Sequence, residues 1–544
     1  MITSSAAPCT LYHTSLGGTL SPSIPPRKRS PLTAAIAPTT ARHPRGLLIC
    51  AATESWERFS FYGMRALLVF YLTRHFGFGD AEAFGIYGAY TALVYLAPII
   101  GGAVADRWLG GRKAVVLGGV LLVGGHFGMT IEGPDGGAPV FLTWFYFSLA
   151  LIVTGVGLLK TSATAIVGAL YDVDDPRRDA GFTYYYMLYN VGGALSPLLC
   201  GWLGERYGWR YGFGLAGVGM VAGLIVFLRG QHHLQGRAEP PNPARLLERV
   251  AGLRLEWWIY LATGLATVVF WLLLLNRGTI GPLLIGFGGG IGAWLVWYAF
   301  RRCTPAERGR LLVCAVLTFF TIGFWAFYEQ MGSSLALFSD RVVDRQFLGF
   351  EIPASTLQSL PSIFVIVLAP AFAGLWERLG RRGRDPSHAT KFVIAIAVLA
   401  AGFLILALGI ATTAAGAKVS LGWFVANFLL LVVGELCLAP VGFAMVSRLA
   451  PVRIATVMIG AFLLAYSASN FLAGLIAKLT AAPPGADQTA LAPIAARYGA
   501  VFLQLGGAAL AVAVVLAVLT PFLNRWGGVA PKPASGDALM AHRD

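Results

Sequence analysis

Four charged side chains interrupt the first long apolar stretch of the sequence: Glu54, Glu57, Arg58 and Arg65. The first three are spaced i, i+3 and i+4, and Arg65 follows Arg58 by two helical turns, so a helix places all four on one face. Such a face cannot point at lipid and must line a polar cavity. A carboxylate beside a movable cation can bind a proton in one state and release it in another. These residues therefore predict reversible proton binding. The alternative is a buried salt bridge whose only role is to hold helices together.

Three further charges lie deep in later apolar stretches, Lys160 in the first half of the chain and Glu329 and Glu435 in the second half. Lys160 and Arg58 each lie roughly 16 Å from the inner ends of two helices that run in opposite directions, so they share a depth and can form one network. Bases are concentrated in the first half and lone acids in the second. We expect this field to suit a substrate with a carboxylate at one end and an ammonium group at the other.

The composition predicts that most of the chain lies in a membrane. Hydrophobic residues make up 56% and charged residues 12% of the 544 positions, whereas soluble domains carry about 25% charged residues. Apolar runs of about 18 or more residues recur, each long enough to cross a hydrocarbon core as a helix. The sequence therefore predicts an all-α membrane protein with about fourteen transmembrane helices.

Other functional classes find little support in the sequence. The formal net charge of +15 comes largely from basic residues in short loops, a bias that orients membrane helices and does not indicate nucleic-acid binding. No GxxxxGK[ST] loop occurs, so we expect no ATP-driven step. His126 has no acidic or nucleophilic partner at a motif spacing, and the six cysteines show no metal-binding spacing. We therefore expect no enzyme, no metal and no cofactor, with a proton gradient as the energy source.

Two blocks of six predicted helices resemble each other. In each block, an Ala-Pro pair and a short charged run lie where the second helix joins the third. The charged run is Ala105-Asp106-Arg107 in the first block and Trp376-Glu377-Arg378 in the second block. Parallel repeats of this kind are typical of the major facilitator fold, which binds substrate between its halves. Asp106 and Arg112 can form a gating latch in the first of these loops, with an ordinary solvated loop as the alternative.

The predicted domains follow from this repeat. Residues 1–44 form an N-terminal extension that we expect to be disordered, either a targeting segment or the result of a misplaced start. The rest divides into an N-terminal six-helix bundle (45–229), a cytosolic linker with two extra transmembrane helices (230–310), a C-terminal six-helix bundle (311–525) and a cytosolic tail (526–544). The first predicted span of the C-terminal bundle covers residues 311–338. The loop charges predict a multi-pass protein of the plasma (inner) membrane with both termini in the cytosol.

The run from Glu54 to Arg65, read as Glu-Ser-Trp-Glu-Arg-Phe-Ser-Phe-Tyr-Gly-Met-Arg, resembles the first-helix signature of the proton-dependent oligopeptide transporter family. This family is the peptide transporter branch of the major facilitator superfamily. The similarity extends over residues 43–525 and includes further motifs in order: Gly101–Asp106, Gly155–Lys160, Arg178–Phe182, Tyr185–Gly192, Phe324–Gln330, Gln358–Leu360 and Gly434–Gly442. The resemblance implies a proton-coupled symporter that imports di- and tripeptides by alternating access.

The resemblance also assigns roles to individual residues. Proton coupling would use Glu54, Glu57, Arg58, Lys160 and Glu329. The residues that it places around the substrate carry charged, amide or aromatic side chains: Arg58, Arg65, Tyr62, Tyr95, Lys160, Asn190, Trp325, Glu329, Glu435 and Phe462. Among them, Arg58, Arg65 and Lys160 would attract the peptide carboxylate. Glu435 would bind the peptide amino terminus.

Four departures from the family pattern alter the polar residues around the substrate and leave the charged set intact. They are Phe61 in place of a tyrosine, Thr161-Ser162 in place of Pro-Asn, Pro361-Ser362 in place of Asn-Pro, and Phe462 in place of a tryptophan. A transporter of another small anion, an amino-acid conjugate or a drug is therefore the main alternative. A nutrient receptor that signals without transport is a second alternative.

Overall fold

The computed structural model describes residues 42–134, 138–172, 175, 177–483 and 490–528. Nearly all of the predicted N-terminal extension and most of the predicted C-terminal tail lie outside these ranges. The described residues from His43 onward form one compact unit, and the fold below belongs to it.

Seventeen α-helices lie within the described ranges. They are α1 (Arg45–Arg74), α2 (Asp80–Val104), α3 (Gly110–Gly128), α4 (Pro139–Ala169), α5 (Arg178–Ser196), α6 (Trp202–Tyr207), α7 (Trp209–Gly230), α8 (Pro243–Leu247), α9 (Leu255–Leu275), α10 (Ile280–Arg302), α11 (Pro305–Tyr328), α12 (Ser334–Arg341), α13 (Leu360–Arg381), α14 (His388–Thr412), α15 (Leu421–Leu449), α16 (Ala455–Ala477) and α17 (Leu491–Trp526).

Six strands of two residues each pair outside the long helices. They are β1 (Arg249–Val250), β2 (Leu253–Arg254), β3 (Val343–Asp344), β4 (Gln346–Phe347), β5 (Phe350–Glu351) and β6 (Val419–Ser420). β1 pairs with β2 and β4 with β5, both antiparallel, whereas β3 pairs in parallel with β6. The pairing of β3 with β6 links the end of α12 to the start of α15.

The described part of the unit contains fourteen helical passes. Eleven segments are long and apolar enough to cross a membrane, and one of them, Asp80–Gly128, contains both α2 and α3. A π-helical turn, Ala105–Leu109, separates these two helices. The helix α1, with its four intramembrane charges, and the polar pair α5–α6 supply the remaining two passes. The predicted fold class is confirmed: an all-α membrane protein of major facilitator type, with two six-helix bundles and two extra helices, α9 and α10, between them.

The apolar side chains form two main clusters, one in each half of the unit. The first includes Tyr71, Tyr87 and Phe213, and the second includes Phe338 and Phe502. The predicted residue limits of the two bundles stay a prediction.

The halves meet along α2 and α16. A Cβ atom added to Gly88 would lie 2.8 Å from the Cα atom of Gly474, so only glycine at both positions allows this approach. Close backbone contact between small residues is a common way to join helices in lipid.

The predicted span over 311–338 lies within one apolar segment, Pro305–Arg341, that is long enough to cross a membrane, but a break interrupts its helix. α11 ends at Tyr328, a tight turn follows at Glu329–Gly332, and α12 begins at Ser334. The sequence stays apolar through the break, which explains why hydropathy alone did not reveal it. Helical breaks at membrane depth are tolerated only where the backbone is buried in protein or lines a cavity, and all four residues of the turn are buried. Glu329 therefore lies at a break between two helical segments.

Candidate functional site

The charged face of α1 forms as its spacing predicts. Glu54 and Glu57 are 1% and 2% exposed. The Nε atom of Arg58 lies 3.6 Å from Oε1 of Glu54 and 3.8 Å from Oε2 of Glu57. These distances exceed those of hydrogen bonds, and neither Oε2 atom of the two glutamates has a hydrogen-bond partner among the described residues. Attraction without fixed hydrogen bonds leaves the Arg58 guanidinium able to change partners.

Aromatic rings also lie against two of the cations. The Arg58 guanidinium lies 4.9 Å from the centre of the Tyr189 ring, and the Lys160 ammonium lies 4.8 Å from the centre of the Tyr95 ring. Lys160 forms no ion pair with any carboxylate that the structure describes, but it lies within Coulombic range of Glu54 and Glu57. Lys160 and the α1 face therefore interact at a distance, and their joint role in proton coupling stays a prediction.

Backbone contact between α2 and α4 positions Lys160 beside Tyr95. A Cβ atom added to Gly101 would lie 2.2 Å from the carbonyl oxygen of Gly157. Any side chain at Gly101 would push the two helices apart. Lys160 lies one turn beyond Gly157, so this glycine contact sets the distance between the ammonium group and the ring.

Arg65 and Glu329 link the two halves directly. The Nη2 group of Arg65 donates a hydrogen bond to Oε2 of Glu329, and the Nε group of Arg65 donates to the hydroxyl of Tyr87. Arg65 is 7% and Glu329 is 3% exposed. The predicted substrate-facing guanidinium is thus occupied by a carboxylate of the other half in this conformation.

Glu435 belongs to an aromatic group in the second half. Its carboxylate accepts a hydrogen bond from the Tyr328 hydroxyl. The Trp325 ring lies 4.9 Å from the rings of both Tyr328 and Tyr466. Tyr466 in turn lies 5.8 Å from Tyr95 of the first half. A continuous line of rings therefore connects Glu435 with the aromatic partner of Lys160.

The structure shows the immediate surroundings of three further predicted substrate residues. Phe462 is fully buried and packs inside the second half, since a Cβ atom added to Gly442 would lie 2.6 Å from its ring. Asn190 donates from its side-chain amide to the carbonyl oxygen of Tyr186 in its own helix. Tyr62 is half-buried, with Arg58 and Arg65 each 5.7 Å from its ring centre. The assigned roles of these three residues stay predictions.

Sequence reasoning missed Tyr189, Tyr328 and Tyr466. Tyr466 lies one helical turn after Phe462, and Tyr189 lies inside a motif that was recognised for its neighbour Asn190. The signal that could have identified such residues in the sequence was an aromatic side chain on the same helical face as a predicted site residue.

The predicted latch between Asp106 and Arg112 is not formed. Asp106 is exposed and makes no ion pair with any residue that the structure describes. Arg112 instead donates to the linker residue Glu239, over 2.6 Å from Nε and 3.0 Å from Nη2. This bidentate hydrogen bond holds the pKa of Glu239 below its ordinary value. A gating role for Asp106 and Arg112 stays a prediction.

Among the residues that the structure describes, three ion pairs join the halves, and they lie toward one end of the bundle, where α1 ends at Arg74. Arg341 donates both Nη groups to Asp80, over 2.6 and 2.8 Å. Arg74 lies 2.5 Å from Asp340. The third pair is Arg65–Glu329. The halves are thus bound to each other at what we call the Arg74 end, as opposed to the Arg45 end where α1 begins.

Comparison with known proteins identifies close relatives. A family model described as the POT family matches residues 112–493. The peptide transporter YePEPT of Yersinia enterocolitica subsp. palearctica is 36% identical over 462 residues, covering 80% of this chain and 87% of that protein. Dipeptide and tripeptide permease A of Cronobacter turicensis is 31% identical over 492 residues, covering 89% and 94%.

A solved structure agrees with these relatives. The crystal structure of a mutant of a peptide transporter POT in complex with alafosfalin matches with a TM-score of 0.76 and 32% identity, covering 89% of this chain and 96% of that chain. The family model spans well over half of the sequence, and the fold agrees with that of the solved peptide transporter. The chain belongs to the POT family, the proton-dependent oligopeptide transporters.

Proposed function

We propose that this protein is a proton-coupled symporter that imports di- and tripeptides by alternating access. The observation that carries the proposal is the division of charge between the halves. Three cations, Arg58, Arg65 and Lys160, come from the first half, and two acids, Glu329 and Glu435, come from the second. A short peptide with free ends carries one charge of each sign, so it complements this field. The peptide-transporting relatives support the same substrate class.

The available hydrogen-bonding groups suggest an orientation for the peptide. Arg58 and Lys160 lie against tyrosine rings and form no hydrogen bond to a carboxylate in the described part of the chain, so both can donate to the peptide carboxylate. Glu435 accepts one hydrogen bond, from Tyr328, and a carboxylate can accept several. Its remaining acceptor sites can receive the peptide ammonium group. The rings of Tyr95, Trp325 and Tyr466 lie between these charged ends.

Proton coupling follows from the loose attraction of Arg58 to Glu54 and Glu57. A bound peptide carboxylate competes for Arg58, and a carboxylate that loses a nearby cation binds a proton more readily. Peptide and proton then favour each other's binding, as linkage requires in both directions. When the peptide leaves, Arg58 returns and the proton is released.

The ion pairs at the Arg74 end support the assignment of this conformation to one state of the transport cycle. Basic residues concentrate in the loops at the Arg45 end, which we propose to be cytosolic, with both termini there and the bundle in the plasma (inner) membrane. Contact between the halves at the opposite end then corresponds to a state that is closed to the outside. Opening to the outside requires the three ion pairs that join the halves to separate.

Uptake by proteoliposomes tests the proposal. Vesicles with the purified full-length chain are given labelled dipeptide with and without an inward proton gradient. We expect concentrative uptake only with the gradient, and its loss when a protonophore is added. Equal uptake in both conditions would contradict proton coupling. Uptake of other small anions that dipeptides do not inhibit would support the alternative substrate class.

A further inference from the structure

A cavity of about 270 Å³ lies at the Arg45 end of the bundle, between α3, α7 and α9. Its lining consists of four polar residues, Arg112, Lys113, Gln231 and Tyr260, and four apolar residues, Val116, Leu117, Val120 and Leu228. The polar residues lie at or near the ends of their helices. Val120 lies two turns further into α3, roughly 10 Å from Lys113 along the helix axis. The cavity is therefore polar at the helix ends and apolar further into the membrane.

The cavity opens toward the surface that faces lipid. Val120 is 52% and Leu228 is 41% exposed, which is the expected state of apolar side chains that contact acyl chains. Trp257 and Trp258, in the first turn of α9, are also exposed. Tryptophan and tyrosine side chains concentrate at the boundary between headgroups and hydrocarbon. The polar part of the cavity is therefore at the depth of phospholipid headgroups.

Two acids, Glu239 in the linker and Glu256 in the first turn of α9, hold the cationic side chains in place. Glu239 accepts from Arg112, and Glu256 accepts from Lys113 over 2.6 Å. Neither acid lines the cavity, so the charges that face its interior are both positive. An arginine has five N–H donors and a lysine has three. Arg112 uses three of its donors, on Glu239 and Gln231, and Lys113 uses one. Both residues therefore keep donors for an anion in the cavity.

We propose that this cavity binds an anionic phospholipid, with the phosphate on Arg112 and Lys113 and one acyl chain along Val116, Val120 and Leu228. Basic pockets between membrane helices on the cytosolic side are suited to anionic headgroups. The linker adds Arg237, Arg245, Arg249 and Arg254 near this end, which favours an anionic over a zwitterionic lipid. A free phosphate ion would satisfy the cations but leave the apolar part of the cavity empty.

Two variants separate the two parts of the site. Lys113→Gln removes one cation, and Val120→Trp fills the apolar part without changing any charge. Matched controls lie outside the cavity: Lys418→Gln at an exposed loop and Val218→Trp at a lipid-facing position of α7 that is 55% exposed. The full-length chain in detergent is titrated with phosphatidylglycerol, phosphatidylethanolamine or inorganic phosphate, and bound ligand is counted by native mass spectrometry.

We expect saturable binding of phosphatidylglycerol, weakened about fivefold by Lys113→Gln, since one cation near a membrane surface contributes about that factor. Val120→Trp should weaken it at least as much, and both controls should bind as the unaltered chain does. If phosphatidylethanolamine bound as tightly as phosphatidylglycerol, the preference for an anionic headgroup would be refuted. The lipid site would be refuted if inorganic phosphate displaced the lipid at a concentration similar to that of the lipid. It would also be refuted if both variants bound the lipid as the unaltered chain does.

Discussion

Arg65 and Glu329 form a buried ion pair between the two halves although 264 positions separate them in the sequence. The pair depends on the break after α11, which places Glu329 in a turn that faces α1. It also occupies the guanidinium that the resemblance assigns to the substrate. A peptide carboxylate that contacts Arg65 therefore has to compete with Glu329 for its charge. Release of this pair is part of the same change that must separate the ion pairs at the Arg74 end.

The first prediction concerns coupling. Glu57→Gln and Lys160→Ala should each abolish concentrative uptake of a dipeptide and preserve exchange of peptide across the membrane. Both substitutions remove a charge from the coupling group and leave the aromatic residues in place. Uptake driven by a proton gradient and counterflow at equal pH are measured in the same proteoliposomes. The matched controls are Glu377→Gln and Lys478→Ala, which change exposed charges. If both test variants kept full gradient-driven uptake, the coupling roles would be refuted.

The second prediction concerns the closed end. Asp80→Asn should shift the protein toward a state that is open at the Arg74 end, because it removes one partner of a buried bidentate pair, a change that typically costs about 3–5 kcal/mol. A cysteine at Ser359, which is 2% exposed, reports the opening by its reaction rate with a membrane-impermeant thiol reagent. We expect a rate increase of tenfold or more.

Glu351→Gln is the control for this experiment. It removes an ion pair of 2.9 Å with Arg345 at the same end, but that pair lies within one half. The labelling rate should not change in this variant. A rate that rose equally in both variants would mean that the Asp80–Arg341 pair stabilises local structure and does not close the protein.

The sequence predicted the fold because the membrane imposes it. Long apolar runs have to be helices in lipid, and the charges Glu54, Glu57 and Arg58 could share a face only on a helix. The predicted face of α1 formed for this reason. Contacts that depend on the relative position of distant segments could not be read in the same way. Arg112 was expected to interact with Asp106 in its own loop, whereas the partner is Glu239, which a linker brings back from 127 positions away.

The aromatic part of the site shows a different limit. Phe462 was chosen because it occupies the position of a family tryptophan, and its role stays a prediction; its ring packs beside Gly442 and 5.3 Å from the ring of Tyr466. Tyr466 then lies beside Trp325 and Tyr95. Packing of this kind depends on the volumes of neighbouring side chains, and a motif match does not contain that information.

The third prediction concerns the linker and pH. The hydrogen bond from Arg112 lowers the pKa of Glu239, so the pair stabilises the docked linker fully above the ordinary carboxyl pKa of 4.5. This stabilisation is lost as the pH falls below that value and through the lowered pKa. A spin label on a cysteine at the exposed position Gln235 should become more mobile in that acidic range. In Glu239→Gln it should already be mobile at pH 7. A label with the same mobility in both proteins at every pH would show that the pair does not anchor the linker.

The fourth prediction concerns the polarity of the substrate site. Glu435→Gln should weaken the binding of free dipeptides strongly and that of N-acetylated dipeptides little, because only the free peptide presents an ammonium group. Loss of one partner of a desolvated charge pair costs about 2–5 kcal/mol, which corresponds to a loss of roughly thirtyfold or more in affinity. Both ligands are titrated against both proteins by calorimetry.

Tyr328→Phe provides the matched control for Glu435→Gln. It removes the hydroxyl that donates to Glu435 but keeps the carboxylate, so the preference for a free amino terminus should remain even if the affinity for both ligands falls. Glu435→Gln should remove that preference. If instead Glu435→Gln weakened the free and acetylated peptides by the same factor, Glu435 would act only in helix packing. The peptide amino terminus would then have another partner, or the substrate would be one of the small anions or conjugates that lack an ammonium group.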